Sequence, residues 1–152
     1  MKNICYYTSD IGKIGIADNG SAITNLYFEH DAVGDDAIIY ETELLKKAGQ
    51  QLQEYFAGER KAFSLPLAPQ GTGFMQQVWH SLQSIPYGET RSYEKIAKNI
   101  GNEKACRAVG MANNRNPIPI FIPCHRVIGK NGKLTGYRAG LRIKTYLLEL
   151  EK

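Results

Sequence analysis

The first part of the chain places apolar residues in three short β-prone runs, at residues 6–8, 14–17 and 23–28. Runs rich in β-branched and aromatic residues predict β-strands. Asp18, Asn19 and Gly20 separate the last two runs and tolerate positive φ, which favours a tight hairpin. Apolar residues then recur at helical spacing from Leu44 to Phe56, before Gly58. The pattern predicts a small antiparallel sheet covered by one amphipathic helix.

The second part of the chain is mainly helical in its pattern. Apolar residues share one face over residues 74–85, and Pro86 ends that run. Ser92 is a plausible N-cap for a helix that stops at Gly101, and Asn102 is a plausible cap for the next helix. In that helix Ala105, Ala108, Val109 and Ala112 form the expected buried face. Two short helices joined by a glycine-containing turn predict a helix-turn-helix.

Proline and glycine mark the remaining boundaries. Breakers between residues 63 and 73 place a domain boundary near Pro69, giving domains 1–69 and 70–152. Three prolines between residues 117 and 123 exclude a regular helix and predict a rigid, apolar, extended segment. Asn131 and Gly132 then predict a hairpin turn, and a last helix is expected over residues 140–150.

Charge is divided unevenly between the two predicted domains. The net charge is +4, with −4 in residues 1–69 and +8 in residues 70–152. A basic domain of this kind suggests a polyanionic partner, although a solvated basic surface would give the same composition. Hydrophobic residues make up 43% and charged residues 22% of the chain, which argues against a disordered or disulfide-scaffold protein.

No apolar run is long enough for a membrane span, and no signal segment is recognisable. We therefore expect a cytoplasmic protein that does not contact a membrane. The three cysteines, Cys5, Cys106 and Cys124, lack C-x-x-C spacing, so neither a disulfide framework nor a zinc knuckle is expected. At least one of these thiols is free.

Cys124 is the residue that most suggests chemistry. It follows the proline-locked segment directly and precedes His125 and Arg126, which offer a base and a positive charge to stabilise a thiolate. The adjacency alone also fits a small buried residue beside a structural histidine. These residues alone therefore allow either a nucleophilic or a structural role for Cys124.

A wider pattern resembles the O6-alkylguanine-DNA alkyltransferases, also called methylated-DNA–protein-cysteine methyltransferases. The segment from Asn116 to Val127 is similar to the active-site signature of this family. Further blocks in the family's order and spacing cover nearly all of residues 66–151. These blocks are Phe74 with Val78-Trp79, Ile85-Pro86-Tyr87-Gly88, Ser92-Tyr93 with Ile96-Ala97, Arg107-Ala108-Val109-Gly110, and Gly136-Tyr137 with Gly140-Leu141.

The resemblance implies an α+β fold with a ribonuclease H-like first domain and a second, winged helix-turn-helix-like domain that carries Pro-Cys-His-Arg. It implies DNA repair by single-turnover transfer of an alkyl group from O6-alkylguanine to Cys124, with no cofactor and no metal. O4-alkylthymine is a candidate second substrate. His125 would deprotonate Cys124 through a bridging water, and Glu151 would orient His125. Asn116 would fix the turn behind the nucleophile, and Tyr137 would donate a proton or hydrogen bond to guanine N3.

The same resemblance implies a monomer that binds double-stranded DNA through the minor groove and flips the damaged nucleotide. Arg107 would fill the space left by that nucleotide, and Tyr93 would press on the adjacent phosphate. The remaining expected DNA contacts are Ser92, Ala108, Met111, Arg115 and Arg126.

Some features depart from the family pattern. Arg138 and Ala139 stand where many members have a small residue and a glycine, in the loop that forms a lip of the alkyl pocket. Cys5 and His30 invite a zinc site in the first domain, but no second nearby cysteine completes four ligands. Other classes stay open: a lesion-binding protein without transfer, a Cys-His hydrolase and a helix-turn-helix regulator.

Overall fold

The computed structural model describes residues 1–152, and the chain divides into two units, Met1–Pro69 and Gln70–Lys152. The first unit contains one sheet and one long helix. The second contains four helices, a two-stranded parallel sheet and a 3₁₀ turn. The predicted α+β class is confirmed.

Four strands form the sheet of the first unit in the order β3-β2-β1-β4. They are β1 (Lys2–Ser9), β2 (Gly12–Asp18), β3 (Ile23–Tyr27) and β4 (Ala37–Ile39). The first three strands pair antiparallel, as the sequence predicts, whereas the fourth strand, β4, is not predicted and pairs in parallel with β1. The β4 run is only three residues long and exposes Ile38 and Ile39, so it carries no alternating pattern that a sequence analysis can detect.

The predicted covering helix is α1 (Glu43–Phe56). Thr42 caps it, because its hydroxyl accepts a hydrogen bond from the Leu45 N–H at 3.1 Å. Leu45, Ala48, Leu52 and Tyr55 repeat at intervals of three and four residues and are buried. The same periodicity that predicts the helix therefore forms its packed face.

The second unit contains four helices, and Trp79 on the first of them is buried. The helices are α2 (Gly73–Leu82), α3 (Tyr93–Asn99), α4 (Cys106–Asn114) and α5 (Leu141–Leu150). The buried indole N–H of Trp79 donates to the Ala112 carbonyl at 2.9 Å, which fixes α2 against α4. Strands β5 (Arg91–Ser92) and β6 (Val127–Ile128) pair in parallel and join the start of α3 to the chain after Cys124.

Three local predictions in this unit are wrong. Asn102 does not cap α4: the helix begins at Cys106, and the Asn102 carbonyl instead closes a turn with the Ala105 N–H. Ala108 is exposed, and the buried face of α4 consists of Val109, Ala112 and Asn113. Gly132 has the positive φ of a turn, but no strand follows it, because β6 pairs with β5 instead of forming a hairpin.

No helix of this structure has both the length and the apolar composition needed to cross a membrane.

Candidate active site

Cys124 is held at the end of a buried segment with an unusual backbone. The segment over residues 116–123 is almost entirely buried, and the Ile122 N–H donates to the Ile118 carbonyl at 2.9 Å. Ile120 has φ of 73°, a conformation that β-branched residues rarely adopt and that costs ~1–3 kcal/mol. The flanking prolines and the surrounding core hold this conformation. The chain then enters a 3₁₀ turn, Cys124–Arg126, which places the cysteine at its start.

Two buried asparagines fix the backbone on either side of the cysteine. The Asn116 amide donates to the Ile122 carbonyl at 2.8 Å and accepts from the Ile118 N–H at 3.0 Å. Asn113, on α4, donates to the Cys124 carbonyl at 3.2 Å. Asn116 thus fixes the turn that precedes Cys124. Asn113 was not among the sequence-derived candidates, and only its place four residues after Val109 on the buried face of α4 could have indicated it.

The Cys124 side chain is 4% exposed. Burial raises the pKa of its thiol above the ordinary value, because a thiolate loses hydration there. Hydrogen bonding to Asn116 and Tyr137 lowers the pKa but does not outweigh burial. The positive charges of Arg138 and Lys144 also lower it. The resting thiol is therefore protonated and requires a base before it can act as a nucleophile.

His125 is the base placed beside this thiol in the sequence. Its Nε2 lies 2.7 Å from Glu151 Oε2, and both side chains are buried. A carboxylate only accepts hydrogen bonds, so Nε2 carries the proton and Nδ1 keeps a lone pair. The buried Nδ1 has no hydrogen-bond partner within the protein. Burial lowers the pKa of His125, and Glu151 raises it by a smaller amount. His125 is thus neutral at pH 7 and able to accept a proton.

Arg126 occupies a different place from the one predicted. Its guanidinium is buried and forms a two-point ion pair with the Glu151 carboxylate, with Nε 2.8 Å from Oε1 and Nη2 3.0 Å from Oε2. Nη1 donates to the Ile85 carbonyl at 2.7 Å. The expectation that Arg126 contacts DNA is therefore corrected. A buried guanidinium needs a paired carboxylate, and Glu151 supplies it.

The loop after α2 also forms hydrogen bonds with the end of α5 around Glu151. The Gly88 N–H donates to Oε1 at 3.4 Å, and the Tyr87 hydroxyl donates to the Leu150 carbonyl at 3.2 Å. Gly88 has φ of 81°, and a Cβ there would lie 3.0 Å from the Glu151 carbonyl oxygen. Glycine is required for both reasons. The end of α5 is consequently fixed, with its carboxylate facing His125.

Lys144 is a second buried cation that sequence reasoning missed. Its ammonium donates to the Val127 carbonyl at 2.7 Å and to the Thr135 carbonyl at 3.1 Å. Burial lowers the pKa of Lys144, and the charge of an ionised Cys124 raises it. Lysine on a helix normally indicates a solvated face, so no local signal distinguishes this one.

Apart from Arg126, the expected DNA contacts lie at the start of α3, on α4 and just after α4. Arg107, Ala108, Met111 and Arg115 are exposed, and Gly110 is close enough to Tyr93 that a Cβ would contact its ring at 3.8 Å. The Tyr93 hydroxyl is 2.8 Å from Thr135 Oγ1. Ser92 is the N-cap of α3 and accepts from the Lys95 N–H at 3.1 Å. The exposed residues of α4 and the first residue of α3 therefore belong to one packed helix pair.

In the first unit, Cys5 lies 3.5 Å from a Glu41 carboxylate oxygen, so its thiol has a local hydrogen-bond partner. No group of three or more His, Cys, Asp or Glu side chains in the structure could hold a metal ion. The chemistry that the described site supports is nucleophilic attack by a thiol with an adjacent base.

Comparison with known proteins gives a consistent result over both units. Residues 4–69 match the family described as "6-O-methylguanine DNA methyltransferase, ribonuclease-like domain". Residues 73–152 match "6-O-methylguanine DNA methyltransferase, DNA binding domain". The two matches leave out only a few residues at the start of the chain and at the boundary between the units.

Individual relatives agree with these matches. A Bacillus subtilis protein named "Methylated-DNA--protein-cysteine methyltransferase, constitutive" is 52% identical over 157 residues, covering 97% of this chain and 95% of that protein. A Methanosarcina acetivorans methylated-DNA–protein-cysteine methyltransferase is 62% identical over 116 residues, covering 76% of this chain and 74% of that protein. The crystal structure of Mycobacterium tuberculosis OGT in complex with DNA gives a TM-score of 0.94 at 47% identity, covering 99% of this chain and 92% of that one.

Proposed function

Since the chain belongs to the 6-O-methylguanine DNA methyltransferase family, we propose that it repairs DNA by moving the alkyl group of O6-alkylguanine to its own Cys124. The observation that carries this proposal is the buried Cys124 followed by a neutral His125 whose imidazole is bonded to Glu151. This arrangement supplies a nucleophile, a base and the group that stabilises the protonated base. The product is a thioether on the protein, so each molecule reacts once.

The reaction begins with removal of the thiol proton. His125 Nδ1 accepts it through a bridging water, and Glu151 stabilises the imidazolium through the 2.7 Å contact at Nε2. The thiolate attacks the alkyl carbon, and the carbon–O6 bond breaks with its electron pair moving into guanine. Tyr137, which is 92% buried, donates a hydrogen bond or proton to guanine N3 as negative charge develops. O4-alkylthymine carries the same alkyl–oxygen bond and is the second substrate that this chemistry allows.

The burial of Cys124 requires the damaged base to leave the duplex. A thiol that is 4% exposed cannot reach a stacked nucleotide, and base flipping is the general solution to this problem. The exposed Arg107 on α4 would enter the duplex from the minor groove and fill the gap. Tyr93, on the adjoining helix α3, would press on the neighbouring phosphate. The small residues Ala108 and Gly110 allow α4 to approach the groove closely.

The charge distribution and the unit boundaries support different roles for the two units. The net charge of +8 in residues 70–152 would attract the phosphate backbone, and Arg115 is exposed just after α4. We assign DNA binding and alkyl transfer to a domain of residues 70–152, and we assign residues 1–69 to a separate ribonuclease H-like domain. The proposal includes a monomer acting in the cytosol, where Cys124 stays reduced.

Mass spectrometry tests the proposed function directly. The protein is mixed with duplex DNA that carries O6-methylguanine, and the tryptic peptide containing Cys124 is then analysed. We expect the mass of one methyl group on Cys124, saturating at one per molecule. Tight binding to the lesion without a gain in mass would identify a damage-binding protein that performs no transfer. Continued turnover in excess substrate would identify a hydrolase.

The flipping role predicts a selective defect in Arg107→Ala. We expect the transfer rate on duplex DNA to fall by at least ~10-fold. Without the arginine side chain, nothing fills the space that the flipped nucleotide leaves in the duplex, so the flipped state is less stable. The rate on free O6-methylguanine should change by less than ~2-fold, since no flipping is needed. Lys104→Ala, which removes another exposed cation shortly before α4, is the matched control. Equal losses on both substrates would show that Arg107 has another role.

A further inference from the structure

Arg138 occupies the rim of the active site in a defined position. The preceding residue, Tyr137, points into the protein and is buried, whereas Arg138 is exposed. The Arg138 Nη1 donates to the backbone carbonyl of Asn116 at 2.8 Å. Asn116 in turn holds the segment that leads into Cys124. This hydrogen bond therefore fixes the guanidinium at the edge of the site that contains Cys124.

The charge of Arg138 reaches the reacting sulfur. It is one of two cations that lower the pKa of Cys124, the other being Lys144. Lys144 is fully buried and directs its ammonium at two backbone carbonyls, whereas Arg138 is an exposed residue. A guanidinium presents five N–H donors in a planar fork that matches the two oxygens of a carboxylate. Arg138 thus combines a fixed position with the chemistry that recognises anions.

We propose that Arg138 makes this site selective for O6-alkyl groups that end in a carboxylate, such as carboxymethyl, over neutral groups of the same size. This inference rests on the proposed function and adds a substrate class to it. It follows from a guanidinium anchored 2.8 Å from the Asn116 carbonyl, at the rim of the site that holds Cys124.

The electrostatic reason lies in the reaction itself. An anionic thiolate that approaches a carbon next to a carboxylate experiences repulsion between like charges. A cation close to both groups offsets this repulsion, with an effect that solvent exposure reduces. The thiolate forms the new carbon–sulfur bond, the carbon–O6 bond breaks, and its electron pair stays on guanine, which takes up one proton. Cys124 then carries a carboxymethyl thioether whose carboxylate remains beside Arg138.

The test compares two lesions that differ in charge and hardly in shape. Duplex DNAs of identical sequence carry O6-carboxymethylguanine or its neutral amide, O6-carbamoylmethylguanine, and single-turnover transfer rates are measured for each. We expect the wild-type protein to favour the carboxylate by about tenfold, equivalent to ~1.4 kcal/mol. Arg138→Gln should bring this ratio close to one, and Arg138→Lys should keep most of it. Raising the salt concentration should lower the wild-type ratio, because Arg138 is exposed and salt screens exposed charges.

Arg142→Gln is the matched control, because Arg142 is an exposed arginine in the first turn of α5. It should leave the ratio unchanged. If Arg138 instead contacts a DNA phosphate or only supports Asn116, Arg138→Gln will lower the transfer rates from both lesions equally, and the proposal is wrong. A wild-type ratio of one would also overturn it. Failure of the proposed function is a separate result, namely no transfer from O6-methylguanine by the wild-type protein.

Discussion

Cys124→Ala is expected to abolish alkyl transfer while keeping or improving the affinity for alkylated DNA. The reaction requires an acceptor atom that becomes covalently bonded, and no water or neighbouring side chain can replace it without changing the product. We expect the rate to fall by at least ~10³-fold, as in other enzymes that lose their nucleophile. Affinity should persist because the cysteine is almost fully buried and offers DNA no exposed surface.

The measurement combines single-turnover transfer with binding to a duplex that contains O6-methylguanine. Cys124→Ser is a second variant, which keeps the shape of the side chain but replaces the thiol with a much weaker acid. Cys5→Ala is the matched control, since Cys5 bonds to Glu41 in the first unit, and it should transfer one methyl group per molecule as before. Methyl transfer by Cys124→Ala, or methylation of Cys5 or Cys106, would identify a different nucleophile.

The elements that sequence analysis predicted well are those determined by local spacing. Helix α1 follows from its apolar period and from Gly58, and α3 follows from Ser92 and Gly101. Strand β4 could not be predicted, because its three residues pair in parallel with a strand more than thirty residues earlier. The start of α4 was misplaced for a related reason. Asn102 has the side chain of a cap, but its carbonyl is used in a turn before the helix begins.

The burial of several polar residues in the active site could not be predicted from the periodicity of the sequence. On α5, the apolar Leu141 is 48% exposed, whereas the charged Lys144 is fully buried. The carbonyls of Val127 and Thr135 make that burial possible, and they come from outside the helix. Asn113 is similar, because its partner, the Cys124 carbonyl, lies eleven residues later. Tertiary hydrogen bonds of this kind leave no periodic trace in a sequence.

Arg126 shows the same limitation with a larger consequence. The resemblance to the alkyltransferases implies a DNA contact for Arg126, but the structure directs its guanidinium inward to Glu151. Glu151 therefore serves two cationic partners, the guanidinium of Arg126 and the imidazole of His125. Arg126 lowers the pKa of His125, opposing the effect of Glu151. The arginine thus neutralises the buried carboxylate and helps to keep the imidazole in its neutral, proton-accepting form.

Arg126→Met is consequently expected to destabilise the protein and to shift its pH profile. Removing one partner of a buried pair leaves the Glu151 carboxylate without its main neutralising charge, which typically costs ~3–5 kcal/mol. Urea unfolding followed by the fluorescence of Trp79, the only tryptophan, reports this loss in the second unit. The pKa of His125 should rise, because the nearby positive charge is gone. The base is then protonated over more of the acidic range, so the rise of transfer rate with pH should move to higher pH. DNA affinity should not change.

Two further variants identify the cause of these effects. In the double variant Arg126→Met/Glu151→Gln no uncompensated charge remains, so stability should recover by at least ~2 kcal/mol relative to Arg126→Met. Transfer by the double variant should be slower than that of the wild-type protein, because an amide cannot stabilise the imidazolium as a carboxylate does. Lys152→Met removes an equally short ion pair, 2.7 Å from Glu149, at the exposed end of the same helix, and should cost only ~0–1 kcal/mol. If Arg126→Met instead keeps its stability and loses DNA affinity, the guanidinium contacts DNA and the buried pair has no structural role.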